Sequence, residues 1–166
     1  MIRLAGPDDV EPSRDVERAA GVRFAEVGMP EIAAHEPMPA GAMLEYVADG
    51  RAWVAEVEGE VVGYVLAEVV DGCGHVEQLA VAPDHQGRGH ARALLDEVDR
   101  WAASRGMPAV TLTTFRDVPF NAPLYEHLGY RVLAEVELSP GLAAKRDHET
   151  ELGLDPSIRV VMRREL

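Results

Sequence analysis

The segment with the clearest chemical signature is VAPDHQGRGHARALL at positions 81–95, which follows a predicted strand and opens an amphipathic helix. Gly87, Gly89 and Ala91 are small residues that let a ligand approach the backbone closely. The first amides of a helix have no intrahelical acceptor, and the helix dipole adds positive potential at that end. The pattern therefore predicts a cradle for a pyrophosphate group, and Arg88 or His90 could add positive charge to it.

Two other glycine-rich phosphate motifs do not match this segment. It has no Gly-Lys-Ser/Thr sequence, which excludes a nucleoside-triphosphate loop of the P-loop type. It also has no G-x-G-x-x-G sequence, and the strands before it are joined as hairpins, which disfavours a dinucleotide-binding fold.

The elements that must position the glycine segment can be read from the hydrophobic pattern. The middle of the chain alternates between apolar and polar residues as strands do, and apolar residues recur at helical spacing from position 89 to 104. A helix is also expected after Asp8 or Asp9, either of which can cap it. We predict strands at 2–4, 51–57, 61–70, 75–81, 109–115, 130–138 and 157–163, and helices or helical turns at 10–24, within 28–39, and at 41–47, 89–104, 119–128 and 143–151.

Length and charge narrow the function classes. The chain has 166 residues, which suits a single domain spanning 1–166 with a core of its own. Its formal net charge is −13, so we expect no nucleic-acid partner and no anionic membrane partner, because both require a basic surface. The single cysteine, Cys73, excludes an intramolecular disulfide and a cysteine-based zinc site, and we predict no metal. The beginning of the sequence lacks a signal-peptide pattern and no apolar stretch is long enough to span a membrane, so we expect a cytoplasmic protein.

Three segments together resemble the GNAT superfamily of acetyl-CoA-dependent N-acetyltransferases. Gln86 to Ala91 (QGRGHA) fits the family motif Q/R-x-x-G-x-G/A, and Leu79 to Pro83 (LAVAP) resembles the family's fourth strand and its exit. Asn121 to Val132 (NAPLYEHLGYRV) is similar to the family's Asn…Leu-Tyr…Leu-Gly-Phe/Tyr segment. The resemblance implies an α/β (α+β) fold: a mixed, mostly antiparallel sheet of six to seven strands, splayed between strands 4 and 5, with helices on both faces.

The resemblance also implies acetyl-CoA as co-substrate and assigns residues to it. In the family, the pantetheine arm pairs with the fourth-strand backbone, here Leu79, Ala80 and Val81. The pyrophosphate binds to the amides of the glycine turn, and one further position often contacts the cofactor. These cofactor-binding residues would be Gln86, Gly87, Arg88, Gly89, His90, Ala91 and Asn121.

Acetyl transfer to an amine needs a base for the amine and an acid for the departing thiolate. Tyr125 stands where many family members carry the tyrosine that protonates the thiolate, and a phenol stays protonated at pH 7. His75 and Glu77 are two residues apart on one predicted strand and so share a face, which the resemblance places toward the acceptor cleft. Either can take a proton, and Glu77 could instead bind the amine, so the base remains open between them.

The acceptor is a small-molecule amine or a peptide amine whose identity the sequence does not fix. The family builds its acceptor pocket from the early helices and the hairpin, so candidate contacts are Arg23, Phe24, Trp53 and Phe115. A non-catalytic acetyl-CoA-binding or sensor domain, or an acyltransferase with another acyl chain or acceptor, would carry the same cradle. We also expect a homodimer, because the segment 157–166 offers an apolar strand and many relatives dimerise.

Overall fold

The computed structural model describes all residues from Met1 to Leu166 and forms seven strands and seven helices. The strands are β1 (Ile2–Leu4), β2 (Ala52–Val57), β3 (Glu60–Val70), β4 (Cys73–Val81), β5 (Ala109–Phe115), β6 (Arg131–Val132) and β7 (Arg159–Glu165). The helices are α1 (Val10–Gly21), α2 (Arg23–Glu26), α3 (Pro30–Ala33), α4 (Ala40–Ala48), α5 (His90–Ser104), α6 (Ala122–His127) and α7 (Pro140–Glu151).

The strands make one sheet in the order β1-β2-β3-β4-β5-β7-β6. The β1–β2, β2–β3, β5–β7 and β6–β7 pairs are antiparallel, whereas β4 and β5 are parallel. The β4–β5 register covers only Gly74–Val76 against Val110–Leu112, although both strands are longer. This mixed sheet with helices around it confirms the predicted fold class.

The contacts divide the chain into two compact units, and the first comprises Met1–Ala67 and Glu77–Glu97. Its core is a cluster in which Val10 and Val16 of α1, Met43 of α4 and Tyr64 of β3 are buried together. Gly63 is needed for close packing here, because a Cβ at this position would lie 3.1 Å from the Ala80 carbonyl oxygen. The first unit therefore holds β4 from Glu77 onward and the start of α5 against the early helices' core.

The second unit comprises Glu68–Val76 and Val98–Leu166. A seven-residue register joins β5 to β7, and Leu133, Leu142 and Val161 form a buried cluster where α7 packs. Gly74 allows α5 to approach β4, since a Cβ there would lie 3.2 Å from the Ala102 side chain.

Several predicted elements differ in their bounds from the observed ones, and two of these differences have a clear local cause. The strand predicted at 130–138 is only Arg131–Val132, and the chain then enters a 3-10 turn at Glu135–Glu137, stabilised by the Glu137 carboxylate accepting the Ala134 amide at 2.9 Å. The strand predicted to start at 75 already begins at Cys73, because Asp71 and Gly72 take positive φ and complete the turn after β3 within two residues.

The apolar C-terminal strand has a structural role within the chain. Its central residues, Val160, Val161 and Met162, are buried, and β7 lies between β5 and β6 in the sheet. These side chains therefore do not supply the surface that suggested a homodimer, and dimerisation stays a prediction without that basis. None of the seven helices combines the length and the apolar character that a membrane crossing requires.

Candidate active site

The glycine segment forms a tight turn directly before α5. Gly87 and Gly89 have φ values of 76° and 85°, in the left-handed region that favours glycine, and a Cβ at either position would meet no heavy atom within 4 Å. The first intrahelical hydrogen bond of α5 runs from the Ala93 amide to the Gly89 carbonyl at 3.0 Å. The amides that precede Ala93 at the start of the helix therefore have no intrahelical carbonyl, and the space beside the two glycines is open.

The Gln86 side chain fastens this turn to the end of β4. Its amide Nε2 donates to the Val81 carbonyl at 2.9 Å, and its Oε1 accepts a hydrogen bond from the Arg23 guanidinium on α2. Arg23, predicted as an acceptor contact, thus lies against the cofactor motif, where it helps to hold Gln86.

The two basic side chains of the turn differ in charge. Arg88 is an exposed guanidinium and carries a positive charge. The pKa of His90 is lowered, first by burial and then by the neighbouring His85, whose ring centroid is 6.1 Å away. His90 is therefore neutral at pH 7, and Arg88 is the side chain of the two that can add positive charge.

The strand segment predicted to bind the pantetheine arm forms the end of β4. Ala80 and Val81 are buried, while Glu77 and Leu79 are partly exposed. The Ala82 amide closes this end by donating to the Val62 carbonyl at 2.8 Å. The segment is fixed in extended conformation immediately before the glycine turn.

His75 is a buried, neutral histidine. Its side chain is 2% exposed, and its Nδ1 lies 2.8 Å from the hydroxyl of Thr111, its register partner on β5. Its pKa is lowered to about 4, first by burial and then by the nearby Lys145, while Glu68, which pairs with Lys145, opposes the shift. An imidazole with so low a pKa is a weak proton acceptor near neutral pH.

Tyr125 lies on α6 with its ring edge-to-face against Tyr130, at a centroid separation of 6.0 Å. Desolvation raises its pKa to about 12, although the positive charge of Arg159 acts in the opposite direction. The phenol therefore carries its proton throughout the neutral range. Asn121 directly precedes α6, and its side chain makes no capping hydrogen bond there.

The other predicted acceptor residues lie in different environments. Phe24 is on the short helix α2 and partly exposed, whereas Trp53 is 6% exposed in β2 and packs within the core. Phe115 ends β5, is buried, and carries the Arg159 guanidinium over its ring at 4.6 Å.

The sequence did not predict a polar cluster in the first unit, which is built around a single carboxylate. Glu17 of α1 accepts hydrogen bonds from the Tyr64 hydroxyl at 2.8 Å and from the Gln78 amide at 2.7 Å. The signal was available, because Glu17 lies seven positions after Val10 and four after Ser13, on the buried face of the helix.

A second missed cluster lies in the other unit, around Thr113 of β5. Glu149 of α7 accepts a hydrogen bond from the Thr113 hydroxyl. Arg159 donates to the same carboxylate at 2.8 and 2.9 Å, and these two charged side chains are only 13% and 17% exposed. Helix α7 thus brings a carboxylate to β5, although Arg159 already neutralises it.

Comparisons with known proteins point to one family. The model of the acetyltransferase (GNAT) family matches residues 22–130. An acetyltransferase of Pectobacterium atrosepticum is 34% identical over 95 residues, which cover 57% of this chain and 67% of that protein.

Solved structures share the fold at low sequence identity. The PaiA N-acetyltransferase of Thermoplasma acidophilum, crystallised with coenzyme A, has a TM-score of 0.73 at 13% identity, over 100% of this chain and 98% of that one. The ribosomal-protein-S18-alanine N-acetyltransferase of Escherichia coli has a TM-score of 0.67 at 16% identity, over 99% and 92% of the two chains. Because the family model spans well over half of the sequence and a 34% identical acetyltransferase matches as well, the chain belongs to the acetyltransferase (GNAT) family.

Proposed function

We propose that this protein is an N-acetyltransferase that moves the acetyl group of acetyl-CoA to an amine by direct attack. The observation that carries the proposal is the glycine turn before α5, where two glycines with positive φ stand beside helix amides that lack intrahelical acceptors. Such amides bind a pyrophosphate without requiring side-chain cations. Solved relatives crystallised with coenzyme A or acetyl-CoA support the choice of cofactor.

In this proposal the end of β4 holds the pantetheine arm through its backbone, from Leu79 to Val81. A backbone amide in this stretch would also stabilise the negative charge that develops on the thioester oxygen. Gln86 keeps the strand end and the turn in register, because it bonds the Val81 carbonyl. Asn121 would complete the cofactor contacts.

Proton transfer requires a base and an acid. We assign the base, or a carboxylate that binds the amine, to Glu77, since it is partly exposed, whereas His75 is buried and its Nδ1 lies 2.8 Å from the Thr111 hydroxyl. Tyr125 is the proposed donor to the departing thiolate. Direct transfer is favoured because Cys73, the chain's one cysteine, is buried and contacts the guanidinium of Arg163 at 3.9 Å rather than a base.

The test is release of free coenzyme A with a panel of amines that includes aminoglycosides, polyamines, amino acids and peptide N-termini. The informative variant is Glu77→Gln, with Glu60→Gln as control, because Glu60 is an exposed strand carboxylate of equal charge. If Glu77 is the base, kcat should fall by about 10²–10⁴-fold where the amine is protonated, and the loss should shrink as pH approaches the amine's own pKa.

A rise in KM with unchanged kcat would instead assign Glu77 to amine binding. Tight coenzyme A binding without turnover on any amine would contradict the enzymatic proposal and favour a sensor domain.

A further inference from the structure

Glu17 is a partly buried carboxylate that the proposed mechanism does not use. It lies on α1, and desolvation is the main influence on its pKa, which is raised above its ordinary value. Three neutral groups donate to it: the Tyr64 hydroxyl, the Gln78 amide and the Met38 backbone amide. A carboxylate offers about four lone-pair sites, so this arrangement leaves about one for a further donor.

The charge of Glu17 is not balanced by a contacting cation. The nearest guanidinium groups act on it only through space, because Arg14 donates to the Met38 carbonyl at 3.0 Å and to Glu11 at 3.2 Å. Arg18 is likewise paired with Asp15 at 3.0 Å and with Glu36 at 3.6 Å.

Two other partly buried carboxylates of the chain each contact a guanidinium group. Asp9 is held by Arg3 at 2.7 Å, and Glu149 is held by Arg159 at 2.8 Å. A buried charge without a counter-ion is costly, so a site that maintains one is a candidate for binding an ion of opposite sign.

The position of Glu17 connects it to the proposed acceptor site. Gln78, which donates to it at 2.7 Å, is the residue between Glu77 and Leu79 on β4, where we place the base and the start of the pantetheine contacts. Glu17 itself is partly exposed, so a ligand can reach it. The net charge of −13 favours the approach of a cation.

We propose that Glu17 is a specificity-determining residue that binds a second cationic group of the acceptor, an ammonium or guanidinium separate from the amine that is acetylated. The reacting amine must be neutral to attack, whereas a desolvated carboxylate stabilises the protonated form of whatever amine it contacts. One carboxylate cannot serve both demands well, so the ligand of Glu17 is a group that remains charged. This inference rests on the proposed acetyltransferase function.

The test compares the diamines putrescine and cadaverine with pentylamine, in which a methyl group replaces one ammonium group of putrescine. Binding is measured by calorimetry in the presence of coenzyme A, and turnover is measured separately as release of free thiol from acetyl-CoA. We expect the wild-type protein to prefer the diamines by about 10- to 150-fold, the range for hydrogen bonds to charged groups. Glu17→Gln should reduce that preference to about one and leave coenzyme A affinity unchanged.

The control is Glu31→Gln, which removes the same charge from an exposed position on α3 and should retain the preference. If Glu17→Gln does not fold, Tyr64→Phe decides the question, because it removes one neutral donor while leaving the charge. It should keep the preference for diamines, and loss of the preference there would assign the cluster a purely structural role and overturn the inference.

The outcomes separate the two proposals. Diamine binding that depends on Glu17 without any turnover would contradict the acetyltransferase proposal alone. Turnover with equal preference for diamine and monoamine, or a preference that survives in Glu17→Gln, would overturn the inference alone.

Discussion

Replacing Tyr125 with phenylalanine removes only the hydroxyl that we propose as proton donor to the thiolate. The ring packs edge-to-face on Tyr130 with the ring centroids 6.0 Å apart, and a phenylalanine ring can keep this contact. We therefore expect the variant to fold, with a melting temperature close to that of the wild type and unchanged acetyl-CoA binding.

The size of the expected loss follows from the pKa of Tyr125, about 12, against about 8.5 for a free thiol. Complete proton transfer from this phenol to a free thiolate would be uphill by about 5 kcal/mol, at 1.36 kcal/mol for each pKa unit of the difference. Donation of a hydrogen bond to the developing thiolate avoids that cost and contributes about 1.5–3 kcal/mol. Tyr125→Phe should thus lower kcat by about 10- to 150-fold, which is mostly below the range of about 10²–10⁴-fold that is typical of general-acid catalysis.

The assay is kcat at saturating acetyl-CoA and a verified acceptor, followed by free thiol release from pH 6.5 to 9.5. Hydrogen-bond donation predicts a nearly constant ratio of wild-type to variant rates across this range, because Tyr125 keeps its proton throughout. Tyr46→Phe is the matched control, since Tyr46 lies on α4, where Arg51 stacks on its ring at 4.6 Å. Wild-type rates for Tyr125→Phe would refute the assignment, and a loss beyond about 10³-fold that disappears above pH 8.5 would show complete proton transfer instead.

Two further predictions concern the cradle and the buried histidine. Gly89→Ala places a Cβ at a φ of 85°, so it should weaken coenzyme A binding tenfold or more, about 1.4 kcal/mol, in calorimetry. Gly106→Ala, with a φ of 73° at the end of α5, should cost similar stability but no affinity, and equal affinities for both variants would contradict the cradle. His75 should make the fold about 3 kcal/mol less stable as pH falls from 6.5 to 4, because only the unfolded chain binds its proton in that window. In urea titrations His75→Gln should lack this part of the acid destabilisation, whereas the exposed control His148→Gln should keep it, and parallel curves would refute the low pKa.

The helices and strands that could be predicted from the sequence are those whose type and bounds depend on residues within or directly beside the element. Helix α5 was predicted at 89–104 and is observed at His90–Ser104, because its apolar stripe and the flanking glycines are local signals. Strand β5 at Ala109–Phe115 agrees in both bounds. The strand predicted at 130–138 failed because its apolar residues do not all face a core: Leu133 is buried with α7, whereas Val136 is 94% exposed.

The part of the candidate site that could be predicted is the part whose backbone conformation requires a particular residue type. Gly87 and Gly89 are glycines because their φ angles require it, so the cradle could be located in advance. The contacts of Glu17 and Glu149 could not be, since each carboxylate meets partners that are dozens of residues away in the sequence. Their positions on the buried faces of helices indicate only that a partner exists, and the partner's identity depends on tertiary packing.

The negative net charge of the chain affects the two proposed binding sites in opposite ways, because one would bind an anion and the other a cation. A net charge of −13 opposes the approach of an anionic cofactor, yet of the two basic side chains within the glycine turn only Arg88 is charged, because His90 is neutral. Backbone amides and the α5 dipole act within the first helical turn, and they attract an anion that is already in contact without changing the net charge. The negative potential produced by the net charge remains available to attract a cationic acceptor. At physiological ionic strength this potential is screened over about 8 Å. If both proposals hold, placing the positive potential in the backbone is what allows one acidic chain to bind an anionic cofactor and a cationic acceptor.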